Sequence, residues 1–361
     1  RKGMLFRSLH RKGLCFHGVY ATLIIEQRML GMCMINKLLR SVAFALIIAF
    51  AACLGGCAPR WNTALGYYFD TFVSLQGRCP ASVLQEALQE CARYEALLSK
   101  NRQGSDVWRL NHAQGERVAV SEETLAILEM AQAIAQDSDG WFDVTIAPAS
   151  ALWDFKAEQP ALPGAEALAQ AAALVDYTQV SITAAGVRLG AGQSIDLGGI
   201  AKGYVADALV SFLADRGVTD ALINIGGNVK ALGQNENHSS WQIAIQAPGG
   251  QYGNAAGIVS LQSGYSLVTS GVYERGFDLD GIRYHHILDP HTGYPIQNGV
   301  LSVSILAKSS LLADALSTAC FALGVEGGLP LATSYGAEAY FILADGSTMY
   351  TEEMEVWLNL G

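Results

Sequence analysis

The most constraining stretch of this sequence is an apolar helix interrupted by one acid, KSSLLADALSTACFALG. Its periodicity predicts a helix over Ser309–Leu323 with leucine and alanine around most of its circumference. Asp314 and Thr318 lie one turn apart with Ser317 beside them, so their oxygen atoms share one face. A helix this apolar belongs in a core, and a buried carboxylate needs a partner. If the helix is buried in this way, the rest of the chain must provide a partner for the Asp314 carboxylate.

Two interpretations of the polar stripe stay open. Mg²⁺ accepts one or two carboxylates and keeps positions for substrate phosphates, so the pair formed by Asp314 and Thr318 suits this ion. The alternative is a solvated face three residues wide, which needs no ligand. The helix by itself does not separate the two.

The other periodic segments place helices mainly in the first half of the chain and strands mainly in the second. The predicted helices are Ser82–Leu98, Glu122–Gln136 with Ser121 as N-cap, Ala165–Val175 and Lys202–Asp215. The predicted strands are Phe69–Leu75, Ala221–Ile225, Trp241–Gln246, Gly257–Leu261, Val300–Leu306 and Ala339–Leu343, with hairpin turns at Asp280-Gly281 and Asp345-Gly346. No repeat or low-complexity linker divides residues 66–361. We therefore predict an α+β fold in a single unit, built as one body or as two lobes.

The beginning of the chain has the features of an export signal. From Met34, two basic residues precede the apolar run Val42–Leu54, and LGGC ends at Cys57. Thirteen apolar residues are too few to span a bilayer, which takes about 20. The small residues before Cys57 resemble a bacterial lipobox and predict a lipid on this cysteine and an extracytoplasmic location, although an ordinary signal with an incidental cysteine fits the same pattern. The predicted boundaries are 1–33 as an upstream stretch of no inferred function, 34–56 as lipoprotein signal peptide, 57–66 as tether, and 67–361 as the folded domain.

Charge and cysteine content exclude some classes of function. The formal net charge is −10, and residues 1–57 hold eight of the 23 Lys and Arg residues but only one acid. The remainder is strongly acidic, which argues against a nucleic-acid partner. Cys79, Cys91 and Cys320 follow the leader without metal-ligand spacing. A Cys79–Cys91 disulfide is one possibility outside the cytoplasm, and simple packing of Cys91 on its helix is the other.

Glycine-rich segments do not match the standard nucleotide motifs. GAGQSI at 190–195 lacks the third glycine of a dinucleotide fingerprint, and GGIAKG at 198–203 lacks the ending of a phosphate loop. The wider segment Ser194–Leu209 is predicted to pass from a short strand through two glycines into a helix that contains Lys202. Such a helix start can hold an anion, but a plain turn with a surface lysine would look the same.

The segment HHILDPHTGYP, residues 285–295, could be a metal cluster, a catalytic loop or an elaborate turn. Adjacent histidines in an extended segment point to opposite faces and no HxxxH pattern is present, which disfavours zinc. Asp289-Pro290 and Gly293-Tyr294-Pro295 are turn formers that predict a rigid loop.

Taken together, these stretches resemble the ApbE-type FAD:protein FMN transferases. The matching motifs, in the family's order, are YFDTFVSL at 68–75, LLSKNRQGSDVWRLN at 97–111, DGWFDVTIAPASALWDF at 139–155, SIDLGGIAKGY at 194–204, INIGGN at 223–228, VTSGVYERGF at 268–277, HHILDPHTGYP, and ADALSTACFALG at 313–324. Each motif alone is weak, whereas eight in sequence are highly specific.

The resemblance implies a fold, a reaction and partners. It implies an ApbE-like mixed sheet with helices that binds FAD and Mg²⁺ outside the cytoplasm. Such enzymes transfer FMN to a threonine or serine hydroxyl of a partner protein and release AMP. The expected partner is an FMN-acceptor subunit of a membrane electron-transfer complex, such as the Rnf type or the sodium-pumping quinone reductase.

The resemblance also implies roles for individual residues. The expected FAD contacts are Phe69, Trp141, Phe142, Asp143, Asp196, Lys202 and the backbone at His285. The expected Mg²⁺ ligands are the Gly199 carbonyl and the side chains of Asp314 and Thr318, with Asp314 essential for catalysis. Some members carry Ala or Thr at the Gly199 position, where the expected ligand is a backbone carbonyl. Some members carry an acid at the Lys202 position, so a phosphate contact of Lys202 is less firmly implied than the metal contact of Asp314. Trp141 and Phe142 could stack on flavin or adenine, or could be core aromatics.

A hydroxyl is a weak nucleophile near neutral pH, so a base is expected. His286 is the candidate, because its pKa range is suitable and the resemblance places its loop at the cofactor. Hydrogen bonding within the turn is the alternative role, and Asp289 could orient the ring. Two other functions stay open: an Mg²⁺-dependent FAD pyrophosphatase that yields FMN and AMP, and a non-enzymatic flavin- or solute-binding lipoprotein. The latter would be expected to show two alternating βα lobes, which the sequence does not.

Overall fold

The computed structural model describes residues 60–249 and 254–359. The upstream stretch, the signal peptide, Cys57 and the first residues of the predicted tether lie outside the described residues. The end of that tether is corrected by the structure, because residues 61–66 belong to a strand rather than a linker. Alternation explains the strand: Ala64 is buried against a helix while Leu65 and Tyr67 point to the other side.

An eight-stranded antiparallel sheet organises the molecule. In chain order the strands are β1 (Trp61–Tyr68), β2 (Thr71–Arg78), β3 (Ser181–Thr183), β4 (Gly186–Arg188), β5 (Ala221–Ile225), β6 (Asn228–Leu232), β7 (Trp241–Gln246), β8 (Ala255–Leu261), β9 (Ser266–Gly271), β10 (Gly276–Leu279), β11 (Ile282–His285), β12 (Val300–Ala307), β13 (Glu338–Leu343), β14 (Thr348–Tyr350) and β15 (Leu358–Asn359). The large sheet has the order β1-β2-β5-β6-β9-β12-β13-β14, and every pairing within it is antiparallel. The predicted α+β class is confirmed, and neighbouring strands of the described large sheet run in opposite directions throughout, so this sheet has no parallel pair.

Seven α-helices accompany the strands in the described residues. They are α1 (Ala81–Leu98), α2 (Asp106–Asn111), α3 (Glu122–Asp137), α4 (Ala147–Ser150), α5 (Ala165–Ala172), α6 (Ala201–Asp215) and α7 (Ser310–Ser334). Serine side chains cap three of them, and the predicted cap of α3 is confirmed because Ser121 Oγ accepts the Thr124 N–H at 3.1 Å. The helix predicted to end at Leu323 meets a break at Gly324 (φ 71°) and then continues to Ser334.

Two hydrophobic layers cover the large sheet. On one face, α1, α3, α6 and α7 bury its side chains in the main core, which includes Leu84, Ile127, Leu209 and Phe321. On the other face, a three-stranded sheet of order β15-β8-β7 encloses a second core around Trp241 and Val259. Arg60–Gly361 forms one compact unit, so one body is found rather than two lobes.

Some boundaries differ from the sequence prediction. The predicted strand Phe69–Leu75 begins at Thr71, because Phe69 and Asp70 form the turn between β1 and β2. The helix Ala165–Val175 ends at Ala172, and the apolar stretch before the Gly198-Gly199 pair is a loop rather than a strand. Asp280-Gly281 is confirmed as the turn between β10 and β11, with φ of 53° and 79°.

One described helix, α7, is long and apolar enough to cross a membrane. Most of its apolar window is buried inside the protein, and Gly324 interrupts it, so α7 is a core helix of this fold. Cys79 and Cys91 are both free and buried, so the disulfide considered for them is not formed in the structure.

Candidate active site

The predicted site residues gather at the end of the sheet where the β1–β2 turn lies. Phe69 and Asp70 both have positive φ, 56° and 58°, although neither is glycine. The Phe69 N–H donates to Glu95 Oε1 of α1 at 2.7 Å, and the Arg275 guanidinium donates to the Asp70 carbonyl at 3.3 Å. These two bonds hold a strained turn in place, as is common at functional sites.

The crossing of α6 and α7 positions the acid of the polar stripe. Gly203 of α6 lies so close to α7 that a Cβ there would collide with the Ser310 carbonyl. The Gly203 N–H donates to Asp314 Oδ2 at 2.8 Å. Asp314 is only 3% exposed, so its carboxylate lies inside the protein rather than on a solvated face. Its other oxygen, Oδ1, faces the Lys202 ammonium at 3.6 Å, and Lys202 also donates to the Gly198 carbonyl at 2.9 Å.

The same crossing leaves the Gly199 carbonyl available. Helical geometry would direct the Gly203 N–H towards the carbonyl four residues earlier, that of Gly199. Asp314 takes this N–H instead, and no hydrogen bond to the Gly199 carbonyl is found among residues 60–249 and 254–359. Gly199 also adjoins Thr318, since a Cβ on Gly199 would stand 3.2 Å from Thr318 Oγ1.

Residues at this crossing therefore supply three oxygen donors: one carboxylate oxygen, one hydroxyl and one carbonyl. They come from Asp314, Thr318 and Gly199. Hard cations with few protein ligands prefer this donor type, and a cluster of His, Cys, Asp or Glu large enough to hold a metal is not found in the described part of the chain. The residues present thus fit Mg²⁺ better than zinc, while their role as ligands stays a prediction.

The three histidines of the 285–295 loop have separate partners. His285 Nε2 bonds to the Ile296 carbonyl at 2.9 Å, and His291 Nδ1 lies 3.1 Å from Asp289 Oδ1. His286 Nδ1 lies 3.4 Å from the Arg275 carbonyl, which also accepts the His286 N–H at 3.2 Å. The turn Asp289–Pro295 is closed by the Gly293 N–H, which donates to the Asp289 carbonyl at 2.7 Å.

Burial keeps two of these rings neutral. Desolvation lowers the pKa of His285 to about 4, and that of His286 to about 3. The positive charges of Arg275 and Lys202 also lower the pKa of His286. His286 nevertheless keeps part of its surface accessible.

Two aspartates named by the resemblance are held by different kinds of partner. Asp196 forms an ion pair with Lys100 at 2.6 Å and accepts the Gly198 N–H at 2.9 Å, so it braces the glycine loop. Asp143 caps a short 3-10 helix and accepts bonds from the Thr145 N–H, the Thr145 hydroxyl and the Tyr177 N–H, all at 2.7 Å. These bonds favour a structural role for the Asp143 carboxylate.

The aromatic candidates divide in the same way. Phe142 is 4% exposed, belongs to the main core and packs beside Gly199. Trp141 is partly exposed, and its ring lies 5.0 Å from that of His291 at 63°. Phe69 is also partly exposed at the tip of its turn. Trp141 and Phe69 therefore present aromatic surface at the site, whereas Phe142 supports the glycine loop from below.

Sequence reasoning missed several residues that shape the site. Lys100 and Ser270 lie within two of the matching motifs but had no assigned role, and Glu95 lies outside all of them. The structure shows Lys100 in the 2.6 Å ion pair with Asp196. It also shows Ser270 in contact with Thr318, and Glu95 accepting the Phe69 N–H. Partners so distant in sequence leave no local pattern, so only the fold could identify them.

A large cavity lies elsewhere in the described structure. It measures about 550 Å³ and is bordered by the Gly324 break of α7, by residues 298–300 and by residues 343–345. None of the predicted FAD contacts or metal ligands lines it. Because the cavity lies beside the helix break and is not lined by Asp314, Thr318 or Gly199, it is distinct from the candidate active site.

Known proteins are similar to this chain in sequence and in fold. The ApbE family model matches residues 68–341. FAD:protein FMN transferase of Treponema pallidum (strain Nichols) is 38% identical over 296 residues, covering 76% of this chain and 81% of that protein. FAD:protein FMN transferase of Klebsiella pneumoniae (strain 342) is 38% identical over 251 residues, covering 68% and 77%. The crystal structure of the ApbE protein from Thermotoga maritima superposes with a TM-score of 0.77 at 31% identity, covering 82% of this chain and 99% of that one.

Proposed function

Because this chain belongs to the ApbE family and is a flavin transferase of the FAD:protein FMN transferase class, we propose the following reaction. The enzyme binds FAD with Mg²⁺, transfers the FMN half to a threonine or serine hydroxyl of an acceptor protein, and releases AMP. The observation that supports the metal-dependent part is the placement of Asp314, Thr318 and Gly199 at the α6–α7 crossing.

The donor set is suited to a cation that neutralises a pyrophosphate. Asp314 Oδ1, Thr318 Oγ1 and the Gly199 carbonyl would hold Mg²⁺, which when bound would supply charge stabilisation for the phosphoryl oxygens. The Lys202 ammonium lies 3.6 Å from Asp314 Oδ1, and its flexible side chain is long enough to turn towards a phosphate. Asp196, clamped by Lys100, holds the loop that carries the Gly199 carbonyl.

Phosphoryl transfer depends mainly on positioning and on charge. The acceptor hydroxyl oxygen forms a bond to the phosphorus on the FMN side, and the bond from that phosphorus to the bridging oxygen breaks. AMP leaves with the electron pair of the broken bond. The proton of the hydroxyl must pass to a base within hydrogen-bond reach.

His286 fits the base in geometry. When its Nδ1–H donates to the Arg275 carbonyl, Nε2 keeps a free lone pair for the acceptor hydroxyl. Its lowered pKa keeps the ring neutral at physiological pH, which is the form that can accept a proton. The same shift makes it a weak base in the free enzyme, and the negative charge of a bound pyrophosphate would raise its pKa again.

The proposal extends to where the enzyme is located and to which protein accepts FMN. The leader ending at Cys57 supports lipid anchoring on the outer side of a membrane, where subunits of membrane electron-transfer complexes would be accessible acceptors. Exposed aromatic and aliphatic side chains on the β1–β2 hairpin, next to the Phe69 turn, offer contact surface for a protein substrate.

One experiment tests the reaction. The full chain, purified in detergent, is incubated with FAD, Mg²⁺ and an FMN-acceptor domain of such a complex, and the denatured products are separated on a gel. A flavin-fluorescent acceptor band together with stoichiometric AMP supports the proposal. Free FMN without a labelled band would show a pyrophosphatase instead, and unchanged FAD would leave only binding. The Asp314→Asn chain is the matched control.

A further inference from the structure

Three hydroxyl groups connect the central strand β9 to α7 beside the proposed metal ligands. Ser270 Oγ of β9 lies 2.8 Å from Ser317 Oγ and 3.5 Å from Thr318 Oγ1. The Ser317 hydroxyl donates to the Asp314 carbonyl within α7 at 2.8 Å. Ser317 is fully buried, and the other two are partly buried.

The direction of each proton follows from the last bond of this chain. A carbonyl can only accept, so the single proton of Ser317 is committed to Asp314. Ser317 must then accept in its contact with Ser270, which commits the proton of Ser270. Ser270 in turn can only accept from Thr318. The order is therefore Thr318 to Ser270 to Ser317 to the carbonyl of Asp314.

This order has a consequence for the oxygen of Thr318. Ser270 is the hydrogen-bond partner found for the Thr318 hydroxyl in the described residues, at a long 3.5 Å. With its proton drawn towards β9, Thr318 Oγ1 presents lone pairs on its other side, where Gly199 adjoins it. A hydroxyl that ligates a cation needs this arrangement, because its hydrogen must point away from the ion.

We propose that Ser270 is a positioning residue that orders the hydroxyl chain and presents Thr318 Oγ1 to a divalent cation as a pure acceptor. The inference rests on the metal-dependent part of the proposed function and deepens it. Ser270 itself does not touch the cation; it acts through the proton of Thr318. Second-layer partners of this type typically change metal affinity by about 10–100-fold when removed.

The opposite face of β9 supplies a matched control. The neighbouring residue, Thr269, forms an equally short hydroxyl contact with Ser304 of β12, 2.7 Å between their oxygen atoms. Successive strand residues point to opposite faces, so this pair lies on the far side of the sheet from α7. Ser304→Ala removes one hydroxyl contact between strands without touching the chain that leads to Thr318.

The test measures Mn²⁺ binding to the full chain in detergent, without FAD, by the loss of the free-ion electron paramagnetic resonance signal. Ser270→Ala should weaken Mn²⁺ binding about tenfold. Ser270→Thr, which keeps the hydroxyl, should bind within about threefold of the unmodified chain by the same reasoning. Ser304→Ala should bind like the unmodified chain. Thermal unfolding of each variant verifies that it is folded.

The outcomes separate the two proposals. If the unmodified chain binds no Mn²⁺, the metal-dependent part of the proposed function fails and the inference fails with it. If the unmodified chain binds Mn²⁺ and Ser270→Ala binds it equally well, only the inference is overturned. A Ser270→Thr chain as weak as Ser270→Ala would also overturn it, because the hydroxyl would then not be the group that matters.

Discussion

Two buried aspartates of the site region, Asp143 and Asp314, differ in how their carboxylates are satisfied. Asp143 accepts three bonds of 2.7 Å from its own loop and from the Tyr177 N–H. Within the described residues Asp314 accepts one bond, from the Gly203 N–H, and the only group found facing its second oxygen there is the Lys202 ammonium at 3.6 Å. A carboxylate with all its bonds formed stabilises the fold, whereas one with an open oxygen can receive a ligand.

The adjacent histidines show the same contrast. Both nitrogens of His285 are used, since Nε2 bonds to the Ile296 carbonyl and Nδ1 accepts the Ile287 N–H at 3.3 Å. His286 Nδ1 lies 3.4 Å from the Arg275 carbonyl, and no partner for Nε2 is found in the part of the chain that the structure describes. Residue type and sequence position are almost the same, so unfilled hydrogen-bonding capacity is what distinguishes a group that can react from one that holds the fold.

The largest expected effect is that of Asp314→Asn on flavin transfer. Losing the charge of the open carboxylate should reduce transfer by on the order of 10²–10³-fold and weaken Mn²⁺ binding, while the Gly203 N–H keeps an acceptor. Gel fluorescence of the acceptor and Mn²⁺ titration measure the two effects. If Asp314→Asn kept most of its transfer activity, the open oxygen of Asp314 would not be needed for the reaction, and Asp314 would not differ in role from Asp143.

The next effect is that of His286→Gln, which should slow transfer about 10²-fold with little change in thermal stability. The loss should appear in kcat rather than in the binding of FAD, because the side chain acts on the acceptor proton. Rates measured at saturating FAD and acceptor test this. An unchanged rate would show that the free nitrogen of His286 is not the base.

Asp143→Asn should affect stability rather than chemistry. An amide at this position turns one acceptor into a donor that faces the Tyr177 N–H, and losing charged hydrogen bonds of this kind costs about 2 kcal/mol. Urea unfolding measures the cost. The folded fraction should bind Mn²⁺ normally, and weakened Mn²⁺ binding at full stability would place Asp143 with Asp314 instead.

The smallest effect concerns pH and His285. Its pKa is about 4 in the folded chain and about 6.5 when unfolded, so between these values the unfolded state binds more protons. This contribution to stability is complete above about pH 6.5 and is lost as the pH falls towards 4. Between pH 7 and pH 5 this group should lower the free energy of unfolding by roughly 1–2 kcal/mol, a decrease that the His285→Gln chain lacks. Parallel pH curves for the two chains in urea unfolding would contradict this.

Much of the fold was predictable because its signals are local. The apolar periodicity identified α1, α3, α6 and the first part of α7 to within about one residue, and the end predicted at Leu323 coincides with the Gly324 break. The turn at Asp280-Gly281 was predictable because glycine there accepts positive φ at no cost. The turn at Phe69–Asp70 was not, since neither residue prefers that conformation and distant bonds to Glu95 and Arg275 stabilise it.

Some residues of the candidate site could be predicted from local sequence, and others could not. Asp314 and Thr318 could be recognised as a pair because one helical turn separates them. The freed Gly199 carbonyl, the Lys100–Asp196 ion pair and the role of Ser270 depend on how α6, α7 and β9 pack together, which no short stretch of sequence specifies. Saturation of the Asp143 carboxylate is likewise visible only in three dimensions.

The close crossing of α6 and α7 has a consequence for any larger residue placed at position 203. Backbone contact fixes the spacing between the two helices there, since a Cβ on Gly203 would collide with the Ser310 carbonyl. Such a residue would force α6 away from α7 and break the bond between the Gly203 N–H and Asp314 Oδ2. The absence of a side chain at this one position is thus what lets the Asp314 carboxylate reach the start of α6.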